Sequence, residues 1–228
     1  MSKEIQVPQR LAGRPRHNGF VIPYFVAFFK EGRQCHEKVE GAVPSFPTTD
    51  YSRLLICRKQ NRCWICGQGL GAFKAFVFGP ASALARSSYE PPSHRDCARY
   101  AMQVCPYLTN PNHQHTASQD SYKLKPDERV LPDVLPDNPG VSVMWVTRHY
   151  TVEVRDASRG ICIFIPGEPE FVELWSRARK ATYKEAADAI QHAIRKNRML
   201  DNQANVRELA WRVQQLLAFA GEPDAIVA

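Results

Sequence analysis

Residues 62–71 read Arg-Cys-Trp-Ile-Cys-Gly-Gln-Gly-Leu-Gly, and residues 93–97 read Ser-His-Arg-Asp-Cys. The first stretch sets two thiols, Cys63 and Cys66, two residues apart with Gly67 behind them. Thiolates at that spacing can fold round one metal ion, and a following glycine eases the sharp turn. Alone the spacing is ambiguous, because thiol–disulfide redox motifs share it. The second stretch decides between them. Ser93 is a good N-cap, and Asp96, three residues on, suits both a capping box and the positive end of a helix dipole. His94 and Cys97 then stand at i and i+3, neighbours on one helix face.

A thiol pair, a strand, then two more ligands at a helix start is the order of a treble clef. The expectation is a closed structural Zn2+ site made by Cys63, Cys66, His94 and Cys97, with bonds of roughly 2.0–2.3 Å. Cys105 lies outside it, since eight residues of helix at 1.5 Å each put it about 12 Å beyond Cys97. Cys35, Cys57 and Cys162 sit in apolar contexts and read as buried thiols. Seven cysteines is an odd count, and Met-Ser-Lys-Glu-Ile-Gln at the start has no basic-then-apolar layout. Both argue for a reduced, cytoplasmic protein and against a disulfide framework. The longest apolar run, residues 20–29, is interrupted by Pro23 and falls short of the roughly 20 residues that cross a bilayer.

Working outward, residues 19–29 are rich in aromatic and β-branched types and predict one buried strand. Lys-Glu-Gly-Arg at 30–33 turns it into a second short strand over 35–39. Pro44 and Pro47 read as a loop. Thr49 or Asp50 can cap a helix over about 51–60 that delivers the chain to Cys63. Residues 72–78 predict a strand closed by Gly79-Pro80, and a helix is expected from 94 to about 104, ended by Pro106. A Pro-, Asn- and Asp-rich stretch then connects to the C-terminal half.

There, residues 141–146, 150–154 and 161–165 predict strands, the last two joined by a turn at 155–160. Three helices are expected to follow. One starts at Pro169 and shows Phe171, Leu174, Trp175 and Ala178 on one face. The next opens with a Thr182/Glu185 capping box, and the last carries an apolar stripe from Val206 to Ala220. The fold class is therefore α+β. A treble-clef-like zinc module with short strands occupies 1–108, a connecting segment 109–140, and a small antiparallel sheet with three helices 141–228.

The net charge of +7 is uneven, with eleven Lys/Arg against five Asp/Glu in residues 1–62. Arg53, Arg58, Lys59 and Arg62 lead into Cys63, and Arg95 and Arg99 follow His94, so a phosphate-contacting patch can form there. Gly13-Arg-Pro-Arg16 resembles the core of an AT-hook, but Ala12 stands where that motif has arginine. Treble clefs also house HNH-type nucleases, which need a histidine base after the knuckle and a second set of metal ligands. Residues 70–84 contain no His, Asp or Glu. His113 and His115 could supply outlying ligands from a polar loop. No catalytic residue is assigned. The expected function is a zinc-stabilised binding protein that contacts nucleic acid or a host protein through a basic surface near the zinc. The alternatives are an HNH-like metal-dependent nuclease and a pure protein–protein interaction factor.

In residues 62–71, Ala75-Phe-Val-Phe-Gly-Pro80, Glu90-Pro-Pro-Ser-His-Arg-Asp-Cys-Ala-Arg-Tyr100 and Cys105-Pro-Tyr-Leu108, the chain resembles a family of uncharacterised bacterial and phage proteins. Pro139-Gly-Val141 and Trp145-Val-Thr-Arg148 extend the likeness, which covers most of the first 185 residues. The resemblance implies a shared architecture around the zinc motif and adds no mechanism.

Overall fold

The computed structural model describes residues 5–110, 140–156, 161–196 and 206–221. Its centre is an antiparallel sheet in the order β11-β10-β7-β6, made by Arg179–Lys180, Phe171–Ser176, Ser142–Thr147 and Lys74–Phe78. Side chains alternate between its faces at the period of two that a strand imposes. Phe76, Phe78, Val143, Trp145, Val172 and Leu174 point to one face. Ala75, Met144, Val146 and Trp175 point to the other. Because both faces are covered, β7 is buried along its whole length.

The first face packs on helices α2 (Pro80–Ala85), α5 (Tyr183–Lys196) and α6 (Val206–Ala218), through Ala83, Leu84, Ile190 and Leu216. The second packs on helix α3 (Arg95–Val104) through Ala98 and Met102. A short helix, α4 (Pro106–Thr109), follows α3 directly. The 1–108 region contributes β6 to this sheet and the 141–228 region contributes the other three strands. The two regions therefore share one sheet and one main core.

Residues 20–29 do not form one strand. Pro23 and Tyr24 separate β2 (Phe20–Val21) from β3 (Val26–Lys30), and the two lie in different sheets. Strand β2 pairs with β1 (Arg16–His17) across Asn18-Gly19, both at positive φ, as a two-residue hairpin turn requires. The Asn-Gly pair was the signal for that hairpin. The expected turn after β3 does form: Lys30 pairs with Arg33 of β4 (Arg33–Cys35), with Glu31 and Gly32 at positive φ. The stretch around Pro44 and Pro47 is not a loop. It is β5 (Val43–Thr49), on the outside of a β4-β3-β5 sheet, and an edge is where a strand tolerates residues with no N–H.

The expected helix at Pro169 is a strand instead. Phe171, Glu173 and Trp175 face α3 while Val172 and Leu174 face the main core, and β10 pairs with β7 from Phe171↔Val146 to Trp175↔Ser142. Six residues of Phe-Val-Glu-Leu-Trp-Ser satisfy either period, and cross-strand pairing decides. Arg177 and Ala178, both at positive φ, turn the chain into β11. The other two expected helices form as α5 and α6. The capping box of α5 closes both ways: Glu185 N–H donates to Thr182 Oγ1 at 3.2 Å, and Thr182 N–H to Glu185 Oε2 at 2.9 Å. Strands β8 (Tyr150–Asp156) and β9 (Ile161–Pro166) make the expected hairpin, held to Ser88 by a two-way bridge at Phe164. Residues 157–160 of its turn lie outside the described residues. No helix among the described residues is long and apolar enough to cross a membrane.

Candidate metal centre

Helix α1 (Tyr51–Gln60) starts on Asp50, whose carboxylate accepts from Ser52 N–H at 2.9 Å, and ends at Asn61 in the left-handed region. That ending throws the chain into a tight antiparallel turn. Arg62 bridges Gly69, Cys63 N–H donates to Gln68 O at 2.7 Å, and Gly67 N–H donates to Cys63 O at 2.9 Å. Gly67 closes the loop at φ +78°. The loop turns Cys63 and Cys66 inward, and the Cys66 N–H points at the Cys63 sulfur at 3.4 Å.

The second pair arrives on α3. Ser93 is not its N-cap, because Ser93 pairs with Ala75 of β6 through two backbone bonds of 2.8 Å. The cap position falls one residue later, on His94. Its imidazole makes no capping bond and is turned to the sulfurs instead. Nδ1 lies 3.3 Å from Cys66 Sγ and 4.0 Å from Cys97 Sγ. Nε2 lies 2.9 Å from the Gly69 carbonyl. A carbonyl oxygen only accepts, so Nε2 carries a proton, and Nδ1 is the nitrogen that faces the sulfurs and can serve as the ligand. A partner on the second ring nitrogen is how ligating histidines are usually fixed.

Cys63, Cys66, His94 and Cys97 are all buried, and their ligand atoms lie within 4.8 Å of one another; together they could hold a metal ion. It is the one such group among the described residues. Burial opposes charge on Cys63, but hydrogen bonds from Cys66, Cys97 and His94 outweigh it and hold the thiol far below its ordinary range. Hydrogen bonds to Cys63 and Cys66 raise His94 to about 10. Hydrogen bonds to Cys63 and Cys66, together with burial, push the Cys97 thiol the other way, so Cys63 is the negative sulfur, beside a positive His94; a metal ion would take the place of these protons. Burial, with Cys63 nearby, pushes Cys57 up to about 12, so it stays a neutral thiol beside the cluster. Cys105 sits where α3 ends, outside the group.

The site has its own small core: Leu11, Val21, Ile65 and Tyr100 pack with the three cysteines. Tyr24 seals the other side. Its N–H donates to Ile65 O at 2.7 Å, and its ring lies against Gly67.

The six basic residues singled out from the sequence have different surroundings. Arg53 is 6% exposed. It lies 3.2 Å from Glu37 and 3.4 Å from Asp50, donates to the Tyr24 carbonyl, and stacks 4.9 Å from the Tyr24 ring. It cannot meet a phosphate without dismantling that cluster. Arg14, of the AT-hook-like stretch, pairs with the same Glu37 at 3.0 Å. Lys59 and Arg62 are exposed at the end of α1, with Arg58 half-buried between them and the core. Arg62 donates to Gly67 O at 3.2 Å. Arg95 is exposed on α3, over Phe73. Arg99 grips Glu173 of β10 through two bonds of 2.6 and 3.1 Å. His113 and His115 lie outside the described residues.

Glu173 is the tie between helix α3 and the central sheet, and no sequence signal pointed to it. Burial opposes its charge, but bonds from Arg99, Lys180 and Trp175 win and bring its carboxyl from 4.5 down to about 2. A depressed folded-state pKa means the stabilisation is complete above about pH 4.5 and is lost as pH falls towards 2. Glu173→Gln should lower stability by roughly 1–2 kcal/mol at neutral pH, since both cationic partners are half exposed and screened. The gap between variant and parent should close in denaturant titrations below about pH 3, where the parent carboxylate is itself being protonated. A gap that persists unchanged in acid contradicts the assignment. No protein-family model matches this chain, and neither a curated protein nor a solved structure does.

Proposed function

We propose that this chain is a zinc-stabilised binding protein that contacts nucleic acid through a basic surface beside its metal site. The donor set carries the zinc part of the reading: three sulfurs and one imidazole Nδ1, all buried, within 4.8 Å of one another. Soft thiolates with a histidine suit Zn2+ rather than oxygen-seeking cations. A tetrahedral ion with bonds of roughly 2.0–2.3 Å needs donors about 3.4–3.8 Å apart. The 3.3 and 4.0 Å separations at His94 Nδ1 bracket that range. A turn bearing Cys63 and Cys66, then β6 bridged to Ser93, then α3 supports a treble-clef-like arrangement with α2 inserted between its halves. It also agrees with the family resemblance.

Four protein donors complete a tetrahedral sphere, so zinc here holds structure and leaves no position for substrate or activated water. An HNH-like nuclease would need a second group of ligands, which is not found among the described residues. The net charge of +7 and the cations at the end of α1 and on α3 favour a polyanionic partner. A host protein is the second reading, favoured by Phe20, Val43, Phe46 and Tyr51, which stand exposed.

Binding of labelled DNA and RNA fragments tests the choice. Affinity should fall by more than about tenfold for a fourfold rise in salt, as expected when a few phosphates displace counterions. Failure to bind at low salt, or salt-insensitive capture of one protein, would sink the nucleic-acid reading in favour of the second.

A further inference from the structure

We infer that the face built from Phe73, Arg95, Arg148 and Phe171 is a stacking platform for single-stranded nucleic acid; this rests on the nucleic-acid reading above and names the surface and strand state. Four chain segments that the sequence keeps far apart meet there. Phe73 precedes β6, Arg95 opens α3, Arg148 follows β7 and Phe171 opens β10. Antiparallel pairing sets Lys74 opposite Thr147 and Phe171 opposite Val146, so the ends of three adjacent strands lie at one edge of the sheet.

At that edge cations and rings alternate. The Arg148 guanidinium lies 4.6 Å from the Phe73 ring centre, and Arg95 lies 4.9 Å from Phe73 and 5.9 Å from Phe171. Arg99 lies 6.0 Å from the Phe171 ring centre. The rings are half-buried and rooted in the core through Ala98, Met102 and Met144, so they are held rigid. The guanidinium groups are the wet part: Arg99 and Arg148 keep 45% and 51% of their side-chain surface in solvent.

Charge favours an anion. Arg10, Lys74, Arg95, Arg99, Arg148 and Lys180 surround three carboxylates, Asp96, Glu170 and Glu173. Arg95 makes no ion pair among the described residues. A planar guanidinium on an aromatic face offers its outer face to a base and its N–H edge to a phosphate. Paired bases in a duplex are stacked on one another and cannot take that position, whereas an open strand can. A double helix would use the cations alone.

The test uses the full chain, a labelled oligothymidylate and a duplex of equal length, compared at two salt concentrations. The single strand should bind about tenfold or more tightly than the duplex, since each stacked base adds a contact that the duplex lacks. Arg95→Ala should weaken single-strand binding about fivefold and duplex binding clearly less, because the duplex loses a cation and the single strand loses a stacking face as well. Arg95 is exposed, so this variant should fold and keep its metal. Phe73→Leu, checked for fold by circular dichroism, should do the same while keeping every charge. Lys59→Glu, at the other basic cluster, should change both affinities alike.

Equal binding of the two forms, or an Arg95→Ala variant that binds oligothymidylate like the parent, would overturn the platform while leaving the nucleic-acid reading standing. Absence of salt-dependent binding to either form would overturn both. Displacement of the oligonucleotide by an equal concentration of an acidic peptide would reassign the face to a protein partner.

Discussion

If the group holds zinc as proposed, Cys97→Ser will abolish zinc binding and lower stability by more than about 4 kcal/mol, a loss confined to cavities, buried charges and lost metal sites. Cys97 is fully buried in the first turn of α3, and its sulfur completes the donor group. Serine keeps the shape but not the chemistry: its hydroxyl does not ionise near neutral pH and is a poor ligand for zinc. Three donors cannot close the tetrahedron, and two sulfurs and an imidazole are left buried around a partial charge. The damage should spread, because Leu11, Val21, Ile65 and Tyr100 pack in one small core with those sulfurs. The melting temperature should fall by roughly 8–16 °C, at about 2–4 °C per kcal/mol for a chain of this size. Cys105→Ser, outside the cluster, serves as the control and should retain one zinc. Full zinc occupancy in Cys97→Ser would contradict the ligand assignment.

Gly67→Ala should be the next most damaging small change, lowering stability by about 3 kcal/mol. Two penalties combine at one atom. The backbone at Gly67 has φ +78°, a region that costs an alanine roughly 1–2 kcal/mol. The added methyl would also stand 2.7 Å from the Tyr24 ring. That ring has nowhere to go. Tyr24 is anchored by its N–H to Ile65 O, by its carbonyl to Arg53, and by the Arg53 guanidinium stacked on it. Either the loop opens, moving Cys66 out of the donor group, or Tyr24 lifts and exposes the small core. Gly69→Ala is the matched comparison, because nothing lies within 4 Å of its methyl and its φ is ordinary. It should stay within about 0.5 kcal/mol of the parent. Equal denaturation midpoints for the two variants would rule out this account of the turn.

The donor group was legible because ligation restricts residue type and spacing together. Few arrangements other than a metal site place Cys, Cys, His and Cys so that a turn and a helix start aim all four inward. Helix α1, strand β6 and the Thr182/Glu185 cap were legible for the same reason, each carrying its signal within a few residues. What was hidden depended on distant partners. Phe171–Ser176 fits helix or strand until β7 arrives alongside it, and Ser93 caps a helix until Ala75 claims its backbone. Arg53 reads as surface charge until Glu37, Asp50 and Tyr24 are folded round it. The edge joining Phe73, Arg95, Arg148 and Phe171 exists only through strand order, and no local pattern announces it.

The most direct test of the central claim is X-ray absorption at the zinc edge on protein purified without chelator, together with its metal content. One zinc per chain is expected, with three sulfurs near ~2.3 Å and one nitrogen near ~2.0–2.1 Å. Less than about one zinc per chain, or a first shell with oxygen in place of sulfur, would contradict it.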